Sequence, residues 1–78
     1  MKTEQNLASV VRYHRRRAGL SQEALAKLAG VGKTAVFDLE KGKATVQLDT
    51  LRKVLRVLNI TMTLESPLMI EYEREKSR

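Results

Sequence analysis

The stretch SQEALAKLAGVGKTAVFDLEKG, residues 21–42, constrains this chain more than any other. Ser21 is a good helix N-cap, its hydroxyl able to accept from an orphan backbone N–H, and Gly30 can close that helix in a left-handed conformation. Between them lies QEALAKLA, a run of strong helix formers. After Gly32 comes KTAVFDLEK, with Val36 and Leu39 three apart and Gly42 as the next stop. Two such short helices joined by a tight, glycine-containing turn make a helix-turn-helix, and its second helix is the natural one to enter a DNA major groove.

Packing favours that reading over a generic helical hairpin. Small Ala26 and Ala29 let the helices approach closely, and Leu25, Leu28, Val31, Val36 and Leu39 are predicted to fill the interior. The opposite face of the second helix is left to Lys33, Thr34, Phe37, Asp38 and Lys41, side chains that reach phosphates and base edges. Gly32-Lys33-Thr34 also looks like the end of a phosphate-binding loop, G-x-x-x-x-G-K-[ST], but the first glycine falls on Lys27. Such a loop follows a β-strand, whereas here a helix precedes it.

A chain of 78 residues makes one domain with a small core, which argues for a second subunit to add buried surface. There is no cysteine, and the lone His14 cannot build a zinc site or a catalytic triad. No enzymatic activity, metal or cofactor is expected. No apolar run is long enough to cross a bilayer, and MKTEQNLASVV lacks a signal-peptide core, so the expected place is the cytoplasm, at the nucleoid, without a membrane partner. The net charge of +6 is uneven. Residues 1–64 hold twelve Lys or Arg against five Asp or Glu, while residues 65–78 hold three against four. The basic excess therefore lies with the helix-turn-helix, as in a polyanion binder.

Ahead of that stretch, a first helix is predicted over about residues 4–18, capped near Thr3 and closed by Gly19. Leu7, Val11, His14 and Ala18 share a face, which predicts a partly buried His14 packing as an aromatic ring. Arg12, Arg15, Arg16 and Arg17 lie largely on the other faces, open to phosphate contact or, for Arg12 and Arg16, to plain solvation. Lys41-Gly42-Lys43 is a basic turn suited to a phosphate strand. A fourth helix is predicted over about residues 47–58, with Leu48, Leu51, Val54, Leu55 and Leu58 as core. The period then changes: Ile60, Met62 and Leu64 alternate with Thr61, Thr63 and Glu65, the pattern of a strand. A lone strand leaves an unpaired edge, and pairing with the same strand of a second copy across a two-fold axis both satisfies it and buries its apolar face. The alternative is a strand folded back on residues 68–73. The tail, residues 66–78, either extends the strand region, docks on a partner or lacks fixed structure, with its last four or five residues mobile.

Leu7, Val11, Arg15, Gly19-Leu20-Ser21-Gln22, Leu25-Ala26, Ala29-Gly30-Val31, Val36, Leu39-Glu40-Lys41-Gly42, Leu51 and Leu58 together resemble the helix-turn-helix family of the lambda and Cro repressors and the xenobiotic-response-element regulators. The strand after the last helix resembles HipB, the antitoxin of HipBA-type modules. The resemblance implies an all-α, lambda-repressor-like bundle of four to five helices with a C-terminal β-strand pairing across a homodimer. Residues 1–59 would be the DNA-binding domain and residues 60–65 the dimerising strand. It further implies that Gln22 contacts phosphate and braces the recognition helix, that Lys33, Thr34 and Asp38 face bases, that Lys43 lies near phosphate, and that Arg15 and Glu40 form a structural pair. Family members often carry Gln or Ser at the base-facing positions, where this chain has Gly32, Lys33, Thr34, Phe37 and Asp38. Asp38 is open to two roles, accepting from cytosine N4 or pairing with a nearby lysine, and Phe37 to pressing on a thymine methyl or on the dimer partner.

The expected function is that of a homodimeric transcriptional repressor on inverted-repeat, double-stranded operator DNA. The HipB likeness adds autoregulation as an antitoxin and a HipA-family kinase toxin as partner. A stand-alone or phage-type regulator without a toxin, and a protein-interaction module with little DNA role, are the alternatives.

Overall fold

Helices in this protein are set by how they end. The computed structural model describes residues 6–77 and contains α1 (Leu7–Arg17), α2 (Gln22–Ala29), α3 (Lys33–Glu40), α4 (Leu48–Val57) and α5 (Met69–Lys76). The first four close alike: the N–H two residues past the last full turn reaches back across the helix end, Leu20 to the Arg15 carbonyl, Val31 to Ala26, Lys43 to Asp38 and Ile60 to Leu55, at 2.9–3.1 Å. That closure needs a left-handed residue just before the donor, supplied by Gly19, Gly30 and Gly42 and, at φ 59°, by Asn59. Starts are less uniform. Ser21 caps α2 through its hydroxyl, 3.0 Å from the Ala24 N–H. Asn6 caps α1 by accepting from the Ser9 N–H, so α1 begins at Leu7, later than the predicted residue 4. The predicted cap at Thr3 lies outside the described residues.

The core is built from one side of each of the first four helices: Val11 from α1, Leu25 and Ala26 from α2, Val36 and Leu39 from α3, and Leu51, Val54, Leu55 and Leu58 at α4. α2 lies against both α3 and α4, and α1 crosses α3. Four residues expected inside are not, exposed Ala18 at the end of α1 among them. Leu28 is 62% exposed, because Leu25, Ala26 and Ala29 turn the other side of α2 inward; Leu48, in the first turn of α4, lies past the edge of the core. His14 is exposed, since the inner face of α1 runs through Ala8, Val11 and Arg15; its Nδ1–H donates to the Val10 carbonyl at 2.7 Å.

The C-terminal part departs further from expectation. Residues 60–66 carry neither helix nor strand ladder, and no strand occurs among the described residues. A ladder needs a partner, and the fold-back alternative has none, because Met69–Lys76 is helical. The run MIEYEREK is rich in helix formers, and the Lys76 ammonium lies 5.8 Å from the Tyr72 ring centroid, a helix-spaced contact. The predicted mobile last residues are thus in helix as far as Lys76; Arg78 is outside the described residues. No described helix is long and apolar enough to cross a membrane.

Leu25 and Leu28 provide a test. Leu25→Ala should cost about 2–5 kcal/mol in urea unfolding, whereas Leu28→Ala should stay within about 0.5 kcal/mol; equal losses would contradict this core.

Candidate nucleic-acid interface

α3 has two sharply different sides. Val36, Leu39 and Glu40 are buried, while Lys33, Thr34, Phe37 and Lys41 are exposed and Asp38 is partly so. Its N-terminus is capped by Gly32 with no side-chain hydrogen bond. The Lys33 and Thr34 amides there have no helical partner, whereas the Ala35 N–H donates to the Gly32 carbonyl at 3.1 Å, and this end carries the positive pole of the helix dipole. Gly32-Lys33-Thr34 opens α3 directly after α2, so the strand a nucleotide-binding loop requires is missing from this context.

The inner side of α3 is held by one carboxylate. Arg15 donates from Nε to Glu40 Oε2 at 2.6 Å and from Nη2 to Oε1 at 3.0 Å, and Gln22 Nε2 donates to Oε1 at 3.1 Å. Arg15 also donates from Nη1 to the Leu20 carbonyl at 2.8 Å, while Arg12 Nη2 donates to the Glu40 carbonyl at 3.0 Å. Thus α1, the start of α2 and the end of α3 meet at Glu40, whose side chain is only 4% exposed. Burial pushes the Glu40 carboxyl up, but the hydrogen bonds from Arg15 and Gln22 and the charges of Arg15 and Arg12 hold it below the ordinary carboxylate value. The bond to Glu40 raises the Arg15 guanidinium against the opposing effect of burial.

Side chains on the outer rim are only loosely held. Lys43 Nζ lies 3.6 Å from Asp38 Oδ2, so the geometry places Asp38 beside a lysine of its own chain. That pair is solvent-exposed and weak, about 0–1 kcal/mol. Lys41 Nζ sits 5.1 Å from the centroid of the Phe37 ring. Gln22 is half-buried against Glu40, with its amide oxygen left over for another donor. The structure therefore gathers Gln22, Gly32, Lys33, Thr34, Phe37, Asp38, Lys41 and Lys43 on or beside α3. Ile60, Met62 and Leu64 belong to a separate region at the end of α4. Arg12 and Arg15, placed by helical spacing on the faces turned to phosphate or solvent, are instead partly buried on the side of α1 that faces α3, three residues apart, where both bind Glu40.

The family model HTH_3, helix-turn-helix, matches residues 11–64. The chain belongs to this helix-turn-helix family. Among curated relatives, it is 36% identical over 67 residues to the uncharacterized HTH-type transcriptional regulator y4mF of Sinorhizobium fredii, covering 86% of this chain and 88% of that one. It is 35% identical over 52 residues to an uncharacterized HTH-type transcriptional regulator of Methanothermobacter thermautotrophicus, covering 67% and 75%. Among solved structures it is similar to HipB(S29A) in an O2 20mer complex, with a TM-score of 0.72, 28% identity and coverage of 86% and 96%. A chain of the HipA-HipB-O2-O3 complex gives a TM-score of 0.71 at 26% identity, covering 86% and 97%. At the coarse level this protein is thus a DNA-binding, HTH-type transcriptional regulator of HipB-like fold.

The Glu40 network predicts a pH dependence. Its folded-state value is lowered, so its contribution to stability is complete above the unfolded value, about 4.3, and is lost as pH falls through the folded value. Arg15, being raised, loses its contribution only beyond any working alkaline pH. Urea midpoints should therefore hold from neutral pH to about 5 and fall below about 4.3. Glu40→Gln should remove that acid slope and cost about 3–5 kcal/mol by stranding Arg15; an unchanged slope would contradict the assignment.

Proposed function

We propose that this protein is a homodimeric transcriptional repressor that reads an inverted-repeat operator, one α3 in each of two successive major grooves about 34–36 Å apart. The observation that carries this is the fixed α3: its inner side is locked through Glu40, and its outer row of Lys33, Thr34, Phe37 and Asp38 is left to meet base edges. Lys33 suits guanine O6 and N7, Thr34 offers a hydroxyl or a methyl, and Phe37 suits a thymine methyl. Asp38 accepts from cytosine N4 once Lys43 turns outward to a phosphate, an exchange that a weak exposed pair permits. Gln22, the Gly32 turn, Lys41 and Lys43 take the phosphate strand and set register.

In this reading residues 1–59 form the DNA-binding domain, and residues 60–65 pair with the same segment of the second copy. Support comes from the unladdered stretch with Met62 and Leu64 exposed while Ile60 packs on the core. Likeness to HipB, including the chain solved in the HipA-HipB-O2-O3 complex, extends the proposal to an autoregulating antitoxin that binds a HipA-family kinase toxin. The two curated relatives, more identical in sequence, are described as HTH-type regulators alone, which favours a stand-alone regulator as the second reading. Co-purification of a kinase-sized protein from the native host separates the two.

Lys33→Ala and Thr34→Ala should each cost about 1–3 kcal/mol in operator affinity and relax preference at one base pair, whereas Lys43→Ala should weaken all sequences alike and lower the salt slope by about one. Unchanged affinity with an intact fold would sink the recognition-helix assignment and leave a protein-interaction role. For the dimer, Met62→Glu should give monomers in light scattering, and a persistent dimer would place the interface elsewhere.

A further inference from the structure

One side of the helical body is unfinished. The outer face of α4 presents Leu48, Arg52 and Arg56 beside the edge of buried Leu55, and the segment after it, through Met62 and Leu64, walls off a groove of about 650 Å³. Its apolar walls stand bare, with Leu48 62%, Met62 49% and Leu64 79% exposed. Neither Arg52 nor Arg56 is paired with a described carboxylate. The groove is thus apolar along its walls and cationic along α4.

α5 has the matching character and lacks a surface of its own. None of its residues is buried, and Leu68, Ile70 and Tyr72 are 68%, 70% and 56% exposed. Glu71, Glu73 and Glu75 outnumber Arg74 and Lys76 along it, so α5 carries an excess of one negative charge. An eight-residue helix is too short to persist alone in water, where about 12–15 residues are marginal, so it calls for a docking surface. Its own groove is not that surface here, since no α5 residue lines it. Instead the chain is extended: its radius of gyration is 14.8 Å, against about 11.5 Å for a compact chain of this length.

We infer that α5 of one protomer docks in the α4 groove of a second copy, so that two chains exchange their C-terminal arms. Leu68 and Tyr72 enter between Leu48 and Met62, and Glu71 and Glu75 meet Arg52 and Arg56. This rests on the homodimer proposed above and names a second, charge-matched contact beyond the paired strands.

Charge exchange in the full-length chain tests it. Arg52→Glu with Arg56→Glu, and separately Glu71→Lys with Glu75→Lys, should each raise the dimer dissociation constant about tenfold or more in sedimentation equilibrium, through like charges brought together. Mixing the two variants should restore wild-type affinity, because both grooves of the mixed dimer then face an oppositely charged α5 from the other chain. The mixture is its own folding control, since only folded chains can be rescued. Wild-type dimerisation by both variants would overturn the inference, leave the strand dimer standing and give the groove to a different protein. Rescue only when all four changes share one chain would also overturn it, by placing α5 on its own body. A wild-type protein that stays monomeric at micromolar concentration would remove the homodimer itself.

Discussion

The orientation of α3 depends on how Glu40 is held. Apolar contacts through Val36 and Leu39 press the helix onto the body but are non-directional and tolerate rotation and sliding. A two-pronged guanidinium–carboxylate contact does not. With Arg15 and Gln22 on the side chain and Arg12 on the backbone carbonyl of the same residue, α1 and α2 together set where α3 ends and which side it turns outward. Burying a carboxylate is costly, and the arrangement is stable only because every partner is present; losing one leaves a buried charge unmatched. The same residue therefore links stability at acid pH to the aim of the DNA-facing row.

Around that fixed point the surface is arranged in two ways. Beside α3 the polar side chains are held by weak, exposed contacts, such as Lys43 with Asp38 and Lys41 with Phe37, which can be traded for phosphates and bases at little cost. At the far end of α4 the exposed groups are apolar, and the arm beyond Ile60 leaves its side chains without cover. A small core explains the division: four short helices can close one interior but have nothing left to cover an extended segment and a fifth helix.

Much of this was legible in the sequence because it is local. Ser21, Gly30 and Gly42 mark helix ends through backbone needs that few other residues meet, so α2 and α3 were placed almost to the residue. The helix-turn-helix family followed from those signals together. Burial was harder. A three-or-four spacing fits both flanks of a short helix, and so Leu28, Leu48 and His14 were assigned inward when the structure turns them outward. Arg12 was assigned outward, to phosphate or solvent, because its actual partner is a backbone carbonyl that has no signature in sequence. α5 was hidden by the period-two pattern just before it and by a short apolar patch that suits helix and strand equally. Whether the Ile60, Met62 and Leu64 pattern becomes a ladder is a property of two chains, and one chain cannot display it.

Fluorescence-anisotropy titration of the full-length protein tests the central claim most directly, using DNA from upstream of its own gene and a scrambled duplex at low and near-physiological salt. The account predicts a preference for the upstream DNA that survives the higher salt, at two chains per duplex, because base contacts from a fixed α3 add to the salt-sensitive phosphate contacts. Equal binding to both duplexes that collapses alike with salt would contradict it, leaving only a basic surface where a sequence-reading helix is claimed.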